Sequence, residues 1–131
     1  MGYELFDRTK AVYGRSPNVT IQARGIFSIN QSAYRRLGEP RFVHLMYDVE
    51  NRLIGVQPTD DEERGHKVRV ADQPGASAVV SGTAFTKYYD IDTTRSLRWE
   101  PIFEDGMLVI DLKVPGRPIG GKKRRDEEDD A

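Results

Sequence analysis

Val19-Thr20-Ile21-Gln22-Ala23-Arg24-Gly25-Ile26-Phe27-Ser28-Ile29-Asn30 is the stretch from which the fold is read. In Val19-Thr20-Ile21 and in Ile26-Phe27-Ser28-Ile29 the apolar residues return at the two-residue period that points side chains to one face of a β-sheet. Gly25 marks the turn between these runs. The period then changes, because Ala33 and Leu37 fall on one side at i, i+4. Asn30 or Ser32 stands where a helix needs acceptors for its first N–H groups, and Gly38 stands where a left-handed residue ends it. Pro40 blocks extension. Residues 42–47 and 52–56 read as a hairpin about the polar turn Asp48-Val49-Glu50-Asn51. Residues 18–58 are therefore expected to form a strand-strand-helix-strand-strand unit.

The second half repeats this organisation. Strands are expected at 66–70, 77–80, 96–103 and 107–112, with a short helix at 82–89. Ile29-Asn30-Gln31-Ser32-Ala33-Tyr34-Arg35-Arg36 falls on Val80-Ser81-Gly82-Thr83-Ala84-Phe85-Thr86-Lys87, pairing Ser with Thr, Ala with Ala, Tyr with Phe and Arg with Lys. Between the halves lies the acidic loop Thr59-Asp60-Asp61-Glu62-Glu63-Arg64-Gly65. Residues 1–17 read as an N-terminal arm with anchoring aromatics. Residues 114–131 read as a disordered charged tail, because Pro115 to Gly121 suits no regular element and the runs that follow bury nothing.

The unit at 18–58 resembles the AbrB-type swapped-hairpin family, which includes bacterial transition-state regulators and MazE-like antitoxins. The likeness is carried by Val19-Thr20-Ile21-Gln22-Ala23-Arg24-Gly25, Ser28-Ile29-Asn30, Tyr34-Arg35-Arg36-Leu37-Gly38 and the hairpin after them. The family usually has Pro where this chain has Asn30. The resemblance implies a half-barrel that pairs with a second copy to bind double-stranded DNA through basic residues around the first hairpin and the helix. With a degenerate second copy at 66–113, one chain is expected to supply both halves. The fold expected is mainly β, a small pseudo-two-fold barrel with short helices, as a monomer with an internal pseudo-dimer; a homodimer is the alternative assembly.

The candidate nucleic-acid-binding residues are Arg15, Gln22, Arg24, Arg35 and Arg36, arginine being suited to bidentate contact with guanine and to phosphate. The other reading makes them solvated charges partnered by Glu39, Asp48 or Glu50. Formal net charge is −1, which argues against strong indiscriminate binding of nucleic acid. Its distribution is uneven: residues 1–58 hold eight Lys or Arg and five acids, residues 59–121 eight and eleven. No cysteine is present, so a disulfide framework and thiolate chemistry are excluded, and a cytoplasmic setting is expected. His44 and His66 have no partner at metal-ligand spacing. No phosphate loop, dinucleotide fingerprint, nucleophile elbow or zinc-protease helix is present, and the carboxylates fall in turns. The chain is therefore read as non-catalytic and without cofactor: a DNA-binding regulatory protein, or alternatively a protein-interaction module that engages a toxin or assembly partner through its acidic half and tail. No apolar run is long enough to cross a bilayer.

Overall fold

The computed structural model describes residues 16–119; the arm up to residue 15 and the charged run from residue 120 lie outside them. The chain runs β1 (Val19–Gln22), a single 3-10 turn (Ala23–Gly25), β2 (Ile26–Ile29), α1 (Gln31–Leu37), β3 (Phe42–Asp48) and β4 (Leu53–Thr59). It continues through β5 (His66–Lys67), β6 (Arg69–Val70), β7 (Ala78–Ser81), α2 (Thr83–Tyr88), β8 (Leu97–Trp99), β9 (Ile102–Glu104), β10 (Met107–Asp111) and β11 (Arg117–Pro118). The fold is mainly β, with two antiparallel sheets ordered β11-β8-β1-β2-β7-β6 and β5-β3-β4-β10-β9.

Two expected strands are each divided. The stretch 66–70 breaks at Val68, whose side chain is buried and whose N–H donates to the Arg41 carbonyl at 2.9 Å instead of to a ladder. The stretch 96–103 breaks at Glu100-Pro101, where proline has no N–H to give a sheet. Each break sends its two pieces to different sheets: β5 and β6 part company, as do β8 and β9. A third difference lies beyond residue 114, where no regular element is expected. Arg117 and Pro118 pair with β8. Gly116 permits this, since a Cβ there would stand 2.7 Å from the Trp99 ring, and the Trp99 indole N–H donates to the Val114 carbonyl at 2.7 Å.

The caps expected for α1 are made. The Asn30 Oδ1 accepts from the Ala33 N–H at 3.0 Å, and Gly38 closes the last turn at φ 97°. Between the sheets lies one core containing Val19, Ile21, Phe27 and Ile29 from one side and Val43, Ile54, Val56, Leu108 and Ile110 from the other. Each such aliphatic or aromatic side chain contributes roughly 1.5–3 kcal/mol on leaving water. Alternation leaves Thr20, Gln22, Ser28, Arg98 and Arg69 on the opposite, outer face of the six-stranded sheet.

Candidate nucleic-acid interface

The tip of the β1–β2 hairpin is fixed by backbone geometry. Arg24 takes φ 79°, a left-handed conformation that costs a non-glycine residue of order 1–3 kcal/mol and persists where its surroundings enforce it. Here they do: the Arg24 N–H donates to the Thr93 carbonyl at 3.3 Å, and its carbonyl accepts from the Thr83 hydroxyl at 2.7 Å. Gly25 follows at φ 88°, and its carbonyl accepts the Gly82 N–H at 2.9 Å. The Arg24 side chain is exposed above this clamp. Gln22 is also exposed and, with Thr20, Ser28, Ser96, Arg98 and Ile119, lines a shallow depression of about 320 Å³ on the outer sheet face.

The fold does not gather all five candidates. α1 leaves the far end of β2, so four residues of strand, roughly 13 Å at about 3.3 Å each, part it from the hairpin tip. Arg36 lies over the Phe103 ring at 4.5 Å from its centroid, and Arg35 faces Glu39 at 3.8 Å in an i, i+4 pair. Gln22 and Arg24 share one end of the sheet; Arg35 and Arg36 belong to another part of the surface. Arg15 lies outside the described residues.

Three arginines that the sequence reading passed over lie on the same sheet as Gln22. By register, Arg117 is opposite Arg98, Arg98 opposite Thr20, Thr20 opposite Ser28, Ser28 opposite Val79 and Val79 opposite Arg69. Directly opposed residues project from one face, so these six form a row across the sheet. The six strands contain Arg69, Arg98 and Arg117 and no acidic residue, whereas the other sheet's strands carry Asp48, Glu104 and Asp111 with a single lysine, Lys67. Charge is therefore sorted by sheet as well as by halves of the chain. A signal for two of these arginines was present: Arg98 between Leu97 and Trp99, and Arg69 between Val68 and Val70, each occupy the polar phase of an alternating strand.

The remaining titratable groups have structural work. The Asp61 carboxylate, held below the usual range chiefly by the Arg64 N–H, organises the acidic loop, with the Arg64 side chain at 3.1 Å and His44 at 4.0 Å. Asp92 and Asp111 are lowered by N–H groups of Thr94 and Lys113. The Tyr34 hydroxyl, raised by burial and by nearby Glu39, donates to the Pro40 carbonyl at 2.7 Å. Among the described residues, no group of three or more His, Asp or Glu side chains could hold a metal ion, and no helix is long and apolar enough to cross a membrane. No family model, curated protein or solved structure matches the chain.

Proposed function

We propose that this chain is a cytoplasmic DNA-binding regulatory protein of AbrB-like type that acts by binding and not by catalysis. The observation that carries the reading is the clamped hairpin tip: an exposed arginine held in a costly conformation by backbone bonds, beside Gln22 and an acid-free sheet face. Backbone outliers of this kind concentrate at binding sites.

The strand pairings support the accompanying barrel. The two sheets are separate and no closed barrel forms among the described residues; counting the divided stretches 66–70 and 97–104 as one strand each, the order of pairings is that of a ring. That ring maps onto itself when β1, β2, β3 and β4 exchange with 66–70, β7, 97–104 and β10: β1·β2 matches β6·β7, β3·β4 matches β9·β10, and β1·β8 matches β5·β3. The pairs β2·β7 and β4·β10 lie on the axis of this exchange. In this reading, the second unit supplies internally what a second copy supplies in the resembling family.

The test is a fluorescence-anisotropy titration of the full chain with duplex DNA from low salt upward. Affinity is expected to fall steeply as salt rises, and Arg24→Ala to lower it at every salt concentration. Arg24→Gly separates binding from strain: glycine accepts this φ freely, so stability is expected to rise by about 0.5–1 kcal/mol while affinity drops. Absence of duplex binding at low salt would sink the proposal.

A protein-interaction role has its own supporting observation on the five-stranded sheet. Met46, Gly55, Val109 and Ile102 stand opposite one another across four strands, and the side chains of Met46 and Met107 close over Gly55, 3.5 and 3.3 Å from where a Cβ would be. Met46 is 38% and Ile102 47% exposed, an adaptable apolar surface of a kind protein partners use.

A further inference from the structure

We infer that the outer face of the six-stranded sheet is a second DNA contact, a track for the phosphate backbone of a duplex lying across the strands along the row Arg117, Arg98, Thr20, Ser28, Val79, Arg69. The inference rests on the DNA-binding reading and extends its footprint beyond the hairpin tip to arginines of the second half.

The first argument is electrostatic. Like charges directly opposite one another on adjacent strands oppose folding, yet Arg98 and Arg117 are such a pair. The Arg98 side chain donates to the Thr20 hydroxyl at 3.3 Å, which orients the guanidinium without neutralising it. Glu100 and Asp111 line the neighbouring depression with Arg98 and Arg117. Among the described residues neither forms an ion pair with them, and Asp111 is engaged by Lys113 at 3.1 Å. Among the described residues no ion pair within 4.0 Å neutralises Arg98 or Arg117, and phosphate oxygens would supply that charge.

The second argument is geometric. The row crosses six strands, so at about 4.8 Å per step its outer arginines stand roughly 24 Å apart, the length of about seven base-pair rises at 3.4 Å. Between Arg98 and Arg69 the row holds only Thr20, Ser28 and Val79, short side chains that let a rod-like partner approach; Thr20 is buried and accepts from Arg98, and the Ser28 hydroxyl can bond a phosphate oxygen. No carboxylate on these strands repels it. A small ligand uses one or two neighbouring cations; cations at both margins of a sheet, with short side chains between, suit an extended polyanion. Because these groups meet phosphate and not base edges, the contact is insensitive to sequence.

The experiment measures affinity for an arbitrary duplex of about 20 base pairs against salt, for the full chain and for Arg69→Gln, Arg98→Gln and Arg117→Gln, singly and combined. Each phosphate contact adds about 0.9 to the slope of log affinity against log salt. Each single variant is thus expected to lose about 0.9 of slope and roughly eightfold in affinity at 0.1 M salt, equally on unrelated sequences. The corresponding lysine variants keep the charge and should keep the slope, which guards against a loss caused by misfolding. Wild-type binding with unchanged slope in the combined Gln variant would overturn this inference and leave the hairpin reading standing. Absence of wild-type duplex binding at low salt would overturn both.

Discussion

Residues 18–59 and 66–111 pass through the same order of elements, yet they begin their helices by different means. Ahead of α1, the Asn30 Oδ1 accepts from the N–H groups of both Ala33 and Asn18 at 3.0 Å, and its Nδ2 donates to the Ser16 carbonyl. That helix is capped from within its own unit. α2 has no side-chain cap. Its first turn instead sits on the hairpin tip of the other unit, through Gly82 N–H to the Gly25 carbonyl and the Thr83 hydroxyl to the Arg24 carbonyl. The first unit has its long strands whole; the second divides two of its strands between the sheets. What the contrast teaches is that the second unit takes its local structure from the first, while the first needs the second chiefly to cover its apolar face.

The severest way to break the comparison is to remove the second unit. A fragment ending near Asp61 loses β7, β8 and β10, which pair with β2, β1 and β4, and uncovers Val19, Ile21, Phe27 and Ile29. Losing even a few hundred Å² of apolar burial at roughly 25 cal/mol per Å² removes stability comparable with that of a whole small domain. The fragment is expected to be unfolded or homodimeric in sedimentation, and the full chain a folded monomer. A folded monomeric fragment would make the units independent.

Next in size is the joint between them. A Cβ on Gly25 would lie 2.5 Å from the Thr86 hydroxyl oxygen and 3.1 Å from the Thr83 Cα, at a φ of +88°. Gly38 also has a positive φ, +97°, but nothing within 4 Å. Gly38→Ala therefore carries only the left-handed cost, about 1 kcal/mol. Gly25→Ala adds overpacking, for a total of about 3 kcal/mol. Urea unfolding of the two variants measures the difference, and equal losses would mean that the joint relaxes freely. Smaller again is Asn30→Ala, expected to cost about 1–2 kcal/mol through the lost cap. Thr83→Ala removes one exposed bond at the start of α2 and is expected to cost less, about 0.5–1 kcal/mol; reversal of that order in thermal unfolding would contradict the contrast.

How far this was legible in the sequence differs by element. β1, β2 and α1 are expected from period and caps alone, since Val19 and Ile21, Phe27 and Ile29, and Ala33 and Leu37 each repeat at the spacing of the face they bury. The divided strands were not legible, because Val68 continues an apolar alternation that looks unbroken and its departure depends on the distant Arg41 carbonyl. The candidate site was half visible. Gln22 and Arg24 belong to a local turn, which local sequence reports. The row of Arg69, Arg98 and Arg117 exists only through pairings between β11, β8, β1, β2, β7 and β6, a matter of register between segments far apart in the chain.

The smallest effect expected concerns the divided strand that opens the second unit. His66 lies in β5, opposite Val43; burial is the main cause that lowers its pKa from 6.5, nearby His44 adds to it, and a backbone hydrogen bond to Ser81 partly opposes both. A histidine whose folded pKa lies below its unfolded value binds a proton more readily when unfolded. Stability therefore rises with pH across the interval between the two values. The contribution of His66 is fully present above 6.5 and is lost progressively as pH falls through 6.5 toward the folded pKa, opposite in sense to a histidine held by an acid. In a titration of the imidazole C–H signals, His66 is expected to protonate below an exposed histidine, and His44→Gln to move it part of the way back. Replacing His66 with Gln should flatten the fall of melting temperature between neutral and mildly acid pH. A His66 that titrates above 6.5 would mean that an acidic partner reaches it, and that the passage from β5 to β6 is open to charge instead of closed by packing.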